Sequence, residues 1–174
     1  VTDKATIGVV DEVLNGEVNE EVASFVSSHD CGVRRIPGKE VLSCSKLASE
    51  PDLGYVGDIG SVRTEPILEA LEEGLMPILS STASDAGGQC YNVNADTAAA
   101  QIAIALKARR LVYLSDVPGL LKDPEDPATL LSSLPVHQVE PLKEEKVISK
   151  GMLPKVNSAV EALNAGVNRV HFID

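Results

Sequence analysis

The chain has 174 residues, of which 44% are hydrophobic, 24% charged and only 3% aromatic. Its core must be built from Val, Leu, Ile and Ala, which suits parallel strands covered by helices. The formal net charge of -11 argues against a nucleic-acid partner, and no apolar stretch is long enough to predict a membrane span. Three widely spaced cysteines without a CxxC pair favour a reducing cytoplasm over a disulfide framework or a metal site.

The first part of the chain combines two helices with a hairpin excursion. Thr2 or Asp3 can cap a helix over Lys4–Leu14, which Asn15-Gly16 would end through a left-handed glycine. A second helix follows over Asn19–Ser28. Short β-prone runs, separated by proline turns, predict hairpin-like structure over residues 31–63, with strands near Val33–Ile36, Val41–Ser45 and Gly54–Val62.

From residue 64 onward, helices and strands alternate. The predicted order is helix Glu65–Glu73, strand Met76–Ser80, polar loop Ser81–Gln89, helix Asn94–Lys107, strand Leu111–Ser115, helix Gln138–Lys146, helix Pro154–Asn164 and strand Val170–Ile173. This alternation is typical of βαβ units. It predicts an α/β fold with a mainly parallel sheet sandwiched between helices in three layers, interrupted by the β-hairpin excursion.

A polar cluster stands at the start of the Ala-rich helix, in the run Tyr91–Asp96. Asn92 or Asn94 can cap the helix, and Asp96 can face the helix dipole, which would be structural roles. The same side chains can instead face a cleft at the carboxyl edge of the sheet, where open α/β sheets bind ligands. Both roles are compatible, because a capping Asn and a ligand-facing Asn occupy the same helix end.

Two further segments combine polar residues with a turn or a helix start. Asp116 follows a predicted buried strand, and the turn that it opens can cradle a ribose or an adenine, although a plain core strand and turn explain it equally well. Lys155 lies in the first turn of a helix, where the dipole disfavours a cation. A bound phosphate would offset that cost, and Lys150 competes for this role. We expect the three junctions to converge on a common crevice.

Together these segments resemble the acetylglutamate kinases, within the wider amino acid kinase family. Tyr91–Asp96 resembles that family's Asn-Val-Asn-Ala-Asp motif, Ser115–Gly119 its Ser/Thr-Asp-Val-x-Gly turn, and Gly151–Val156 its Gly-Met-x-x-Lys-Val helix start. Gly38–Glu40 matches the family's Gly-Lys-Asp hairpin less well. The likeness covers nearly the whole chain, and the order and spacing of the motifs make it specific.

The resemblance implies a role for each motif. Asn92, together with Asn94, would bind N-acetyl-L-glutamate, while Asp96 would orient the phosphate-binding lysines. Lys155 would stabilise charge on the transferring phosphoryl group. The nucleotide pocket would be formed by Asp116, Val117, Pro118, Gly119, Leu120, Leu121, Val147, Ile148, Ser149 and Gly151.

The resemblance also implies one amino acid kinase domain over residues 1–174 that is incomplete at both ends. Residues 1–90 would close the acetylglutamate-binding part and residues 91–174 would belong to the nucleotide-binding part. A phosphate-binding lysine, two Gly-rich loops and an arginine for the acceptor would precede Val1, and a strand and a helix would follow Asp174. We therefore expect the gene product, and not this piece alone, to be an active kinase.

The implied reaction is direct transfer of the terminal phosphate of ATP, bound with Mg²⁺, to the side-chain carboxylate of N-acetyl-L-glutamate in arginine biosynthesis. The carboxylate is already ionised, so that no general base and no prosthetic group are needed. A cytoplasmic homo-oligomer, at least a dimer, is expected. Two alternatives stay open: the same fold with another acceptor, such as an aminoadipate derivative, and a non-catalytic amino acid or nucleotide sensor.

Overall fold

The computed structural model describes residues 1–115, 119–123, 126–148 and 151–174. Two compact units are present, Val1–Gln101 and Ile102–Asp174. The α-helices are α1 (Lys4–Glu12), α2 (Asn19–Ser27), α3 (Gly38–Val41), α4 (Glu65–Glu72), α5 (Ala95–Ala105), α6 (Val139–Glu144) and α7 (Leu153–Asn164). The strands are β1 (Val33–Ile36), β2 (Leu42–Lys46), β3 (Gly57–Val62), β4 (Met76–Leu79), β5 (Thr82–Ser84), β6 (Cys90–Asn92), β7 (Arg110–Leu114) and β8 (Arg169–Ile173).

The first helix does not end where the sequence predicts. Asp3 caps it as expected, since its Oδ1 accepts the N–H of Thr6 at 2.8 Å. Asn15-Gly16 does not terminate it, because the chain continues as a π-helical segment, Val13–Val18, into α2. The guanidinium of Arg35 donates to the carbonyls of Asn15 and Gly16 at 3.0 and 2.9 Å. These long-range bonds stabilise carbonyl groups whose partners the local sequence could not reveal.

The strands of the first unit form two sheets. β1 and β4 pair in parallel, from Val33 opposite Met76 to Ile36 opposite Leu79. The other sheet has the order β3-β2-β5-β6, in which β2 and β3 form the antiparallel hairpin. The predicted hairpin excursion is therefore confirmed for its second half, whereas β1 belongs to a different, parallel pair. The prediction of a polar loop over residues 81–89 is wrong in part, because β5 begins at Thr82.

The second unit is a parallel βαβ arrangement. β7 and β8 pair in register from Arg110 opposite Arg169 to Leu114 opposite Ile173, and α7 precedes β8. Its hydrophobic core includes a cluster of Leu120, Val139, Ile148 and Val156. Parallel pairs and helices thus occur in both units, and the predicted α/β class is confirmed. Within the described ranges, none of the helices has the length and hydrophobicity that a bilayer span requires.

Candidate functional site

Asn92 ends β6 and is held by backbone contacts on both sides. Its N–H donates to the carbonyl of Tyr55 at 2.9 Å, and it forms a parallel bridge with Val56. In the antiparallel β5–β6 ladder it lies directly opposite Thr82. The side chain of Asn92 is half-buried. A neutral amide in this position can both donate hydrogen bonds to a polar ligand and accept them from it.

The segment that contacts Asn92 is attached on its other side to Thr2. The N–H of Tyr55 donates to the carbonyl of Thr2 at 2.7 Å, and the N–H of Thr2 donates to the carbonyl of Leu53 at 2.9 Å. Gly54 has a φ of +76°, and a Cβ at this position would lie 2.3 Å from the carbonyl oxygen of Thr2. Only glycine allows this close approach. The start of the chain and Asn92 are therefore linked through four residues, 53–56.

Asn94 and Asp96 mark the beginning of α5. The Oδ1 of Asn94 accepts the N–H and the hydroxyl of Thr97 at 2.9 and 3.2 Å, which is the geometry of a helix N-cap. Asn94 is exposed, whereas Asp96 is half-buried in the first turn, where a carboxylate is favoured by the helix dipole. The structural role considered for Asn94 is thus observed, and its role in substrate binding stays a prediction.

A cluster of polar side chains packs against the β5–β6 ladder through Thr82. The hydroxyl of Thr82, which is fully buried, accepts the N–H of Lys39 at 3.2 Å and donates to the Oδ1 of Asn15 at 3.1 Å. The ammonium of Lys39 contacts both carboxylate oxygens of Asp11 at 2.7 Å, and Asn15 also donates to Asp11. Because Thr82 and Asn92 are direct cross-strand partners, this cluster lies on the same face of the ladder as the Asn92 side chain.

The charges of this cluster stabilise each other. Burial raises the pKa of Asp11, but the hydrogen bonds from Lys39 and Asn15 outweigh it, so that the pKa is lowered overall. The hydrogen bond to Asp11 raises the pKa of Lys39. Both groups are therefore held in their charged forms at neutral pH.

Lys155 lies in the first turn of α7 in the second unit. Its Nζ is 5.1 Å from the centroid of the Tyr113 ring, and Tyr113 stacks on Phe172 with the ring centroids 5.4 Å apart. The helix has Met152 at its N-cap position without a side-chain cap, and Pro154 near its first residue. Lysine side chains and the N–H groups of helix starts are both groups with which proteins bind phosphate.

The predicted nucleotide-binding residues fall into three groups. Leu120 and Ile148 are buried in the core of the second unit. Gly119, Leu121 and Val147 are half-buried, and Gly151 is exposed. The others lie outside the described residues, namely Asp116, Val117, Pro118 and Ser149, as does the competing Lys150.

A cavity of about 300 Å³ opens beside two of these residues, Gly119 and Leu120. Most of its wall is apolar, and its polar lining consists of Ser132, Ser133 and His171. An apolar cavity with few polar groups suits a planar aromatic group. In the described part of the chain, His, Cys, Asp and Glu side chains do not gather in groups of three or more that could hold a metal ion.

Sequence reasoning missed several supporting residues. Three contacts join segments that are distant in the chain. They are the contact of Tyr113 with Lys155, that of Tyr55 with Asn92, and the hydrogen bonds of Thr82. One signal was available for Tyr113, which is a polar-tipped aromatic residue among the aliphatic residues of a strand. The contacts of Thr82 left no comparable trace in the sequence.

A model of the amino acid kinase family matches residues 1–174, and the chain belongs to this family. Among curated relatives, the acetylglutamate kinase of Clostridium beijerinckii is 42% identical over 99% of this chain and 62% of its own length. The acetylglutamate kinase of Archaeoglobus fulgidus is 40% identical over 100% of this chain and 64% of its own length. The chain thus spans somewhat less than two thirds of these relatives.

Solved structures share the fold of this chain. The smu.665 protein of Streptococcus mutans UA159 is 30% identical, with a TM-score of 0.91, over 100% of this chain and 70% of its own. N-acetylglutamate synthase from Neisseria gonorrhoeae, complexed with coenzyme A and N-acetyl-glutamate, has a TM-score of 0.85 at 24% identity, over 100% of this chain and 39% of its own. The second likeness concerns the fold alone.

Proposed function

We propose that the protein is an acetylglutamate kinase of arginine biosynthesis. It would transfer the γ-phosphate of ATP, bound with Mg²⁺, to the side-chain carboxylate of N-acetyl-L-glutamate, giving N-acetylglutamyl phosphate and ADP. The observation that carries the proposal is the 42% identity with an acetylglutamate kinase along 99% of the chain. The positions of Asn92, Asp96 and Lys155 at the ends of a strand and the starts of two helices support it.

Asn92 serves the acceptor in this proposal. Its backbone is fixed by the hydrogen bond to Tyr55 and by the ladder with Thr82, so that its side chain starts from a fixed position in the sheet. An amide recognises the polar groups of an N-acetylated amino acid without adding charge to a site that must already hold two anions. Asn94 would assist in binding the acceptor, and its cap of α5 keeps the start of that helix in place.

Lys155 serves the phosphoryl group. In-line transfer between two anions is limited by positioning and by charge repulsion, which an ammonium and the N–H groups of a helix start reduce. Mg²⁺ arrives with ATP as part of the substrate. Asp96 would orient the phosphate-binding lysines through its carboxylate. The acceptor carboxylate is ionised at neutral pH, and the reaction therefore needs no general base.

The nucleotide would contact the chain around Gly119 and Leu120, where the apolar cavity of the second unit opens. The predicted partners Asp116, Val117, Pro118, Leu121, Val147, Ile148, Ser149 and Gly151 belong to the same proposal. Ile148 is buried in the core of the second unit, and its side chain would act by packing behind the pocket rather than by exposed contact.

Substitution of Lys155 tests the phosphoryl role. In the full-length protein, with hydroxylamine trapping the acyl phosphate, Lys155→Ala should lower kcat by about 10²-fold or more, the scale of losing one transition-state donor. Lys143→Ala is the matched control, because Lys143 lies on α6 and pairs with Glu140. Unchanged turnover of Lys155→Ala would contradict the role.

Substitution of Asn92 tests the acceptor role. Asn92→Ala should raise the KM for N-acetyl-L-glutamate and leave the KM for ATP close to that of the wild type, because the amide contacts only the acceptor. A selective increase in the KM for ATP would contradict the assignment. Circular dichroism and a melting temperature equal to that of the wild type check that the variant is folded.

We also propose, on family likeness, that the enzyme is a cytoplasmic homo-oligomer of at least two subunits. Light scattering of the purified full-length protein measures the mass in solution. A monomer at micromolar concentration would contradict this part of the proposal.

A further inference from the structure

We propose that Tyr113 is a positioning residue for Lys155, holding the lysine ammonium over its ring at the start of α7. This inference rests on the proposed role of Lys155 in phosphoryl transfer. It concerns a contact within the second unit between a strand residue and a helix residue 42 positions further along the chain.

The geometry is that of a cation–π contact. The distance of 5.1 Å between Nζ of Lys155 and the Tyr113 ring centroid lies within the range in which an ammonium is attracted by an aromatic face. The Tyr113 side chain is only 4% exposed, which strengthens the attraction because little water competes for the ring.

The ring is itself fixed. Tyr113 lies opposite Phe172 in the parallel β7–β8 ladder, and the two rings stack with an interplanar angle of 16°. The aromatic face is therefore held by the sheet, while the lysine stem belongs to α7. A flexible four-carbon side chain gains one preferred position from such a partner, and a preset position favours transition-state stabilisation.

The position of Lys155 in the helix calls for a compensating contact. An ammonium in the first turn faces the positive end of the helix dipole, and the ring offers a negative face of comparable strength. Unlike a carboxylate, an aromatic ring leaves the positive charge of the lysine in place. The contact with the ring therefore orients the ammonium without removing its charge.

A purely structural role for Tyr113 is the alternative, and ring substitutions separate the two. In the full-length protein, Tyr113→Phe keeps the aromatic face and should hold kcat within about 2-fold of the wild type. Tyr113→Leu removes the face and should lower kcat by about 3- to 30-fold, with little change in the KM for N-acetyl-L-glutamate. A loss of kcat in Tyr113→Phe equal to that in Tyr113→Leu would overturn the proposal.

Fluorinated phenylalanines provide the test if Tyr113→Leu does not fold. Placing phenylalanine with one, two or three ring fluorines at position 113 weakens the negative face while nearly preserving the shape. We expect kcat to fall stepwise with fluorination at constant melting temperature. A kcat that is independent of fluorination would overturn the proposal, because each ring fluorine weakens the attraction between the ring face and an ammonium.

A double-mutant cycle separates failure of this inference from failure of the proposed function. If Tyr113 acts through Lys155, Tyr113→Leu should have no further effect on kcat in the Lys155→Ala background. If both substitutions lower kcat independently, Lys155 keeps its role and the positioning role of Tyr113 is refuted. If Lys155→Ala alone is fully active, the proposed function of this site fails instead.

Discussion

Replacing Gly38 with alanine should destabilise the first unit by a large and calculable steric effect. An ideal Cβ on Gly38 would lie 2.1 Å from the carbonyl oxygen of Ser80 and 2.4 Å from that of Thr82. Ordinary carbon–oxygen contacts are longer by about 1 Å, so that the backbone of β5 must move by roughly that distance. Overpacking of this kind costs about 1–3 kcal/mol, and we expect about 3 kcal/mol because backbone atoms cannot rotate away.

Thermal and urea unfolding of the purified protein measure this effect. A cost of about 3 kcal/mol corresponds to a melting temperature lower by about 6–12 °C for a chain of this size. Gly60→Ala is the matched control, since the nearest atom to its ideal Cβ is the carbonyl oxygen of Ser43 at 3.9 Å. If Gly38→Ala melts together with the wild type and with Gly60→Ala, the close packing of α3 against β5 is refuted.

Three further outcomes are expected. Burial raises the pKa of Asp11, but the hydrogen bonds from Lys39 and Asn15 lower it further, so that the folded pKa lies below 3.8. The charged Asp11 therefore stabilises the fold fully above pH 3.8, and this stabilisation is lost as the pH falls through the folded pKa. Asp11→Asn should make the free energy of unfolding depend less on pH in the acid range. An unchanged pH dependence would refute the ion pair of Asp11 with Lys39. Burial raises the pKa of Cys44 and of Cys90 to about 11, so both thiols should react slowly with iodoacetamide at pH 8 until the protein is denatured. Arg35→Lys should lower the unfolding free energy by about 1–2 kcal/mol in urea, because an ammonium cannot reproduce the guanidinium fork over the π-helical carbonyls; stability equal to that of the wild type would refute this.

Elements with strong local signals could be predicted from the sequence. The strand Val33–Ile36 has its predicted bounds, and α2, α4 and α7 begin or end within a residue of theirs. Periodicity, Pro near a helix start and Gly after a helix end carry this information within a dozen residues. The N-caps Asp3 and Asn94 were each one of two predicted candidates, beside Thr2 and Asn92, because a capping side chain contacts its own helix.

Elements that depend on distant partners could not be predicted. β5 and β6 have three residues each, too few for a period-2 pattern, and the contacts of Thr82 with Asn15 and Lys39 tie that ladder to the rest of the unit. The π-helical segment continues through Gly16, because Arg35 on strand β1 donates hydrogen bonds to the carbonyl groups of this segment. None of these causes is local.

The candidate site likewise has residues that the sequence predicts and residues that it does not. The motifs around Asn92 and Lys155 could be found in the sequence because polar residues interrupt apolar elements there. The partners that fix them, Tyr55 and Tyr113, could not, since each is brought into place by packing between separate elements.

Acyl phosphate formation by the full-length protein with a panel of carboxylate acceptors tests the central proposal most directly. Hydroxylamine converts the product to a hydroxamate, whose rate of formation is measured with ATP and Mg²⁺ present. We predict rapid formation with N-acetyl-L-glutamate and far slower formation with an N-acetylated aminoadipate, free glutamate and aspartate. No hydroxamate from any acceptor, or a clear preference for a different one, would contradict the assignment as an acetylglutamate kinase.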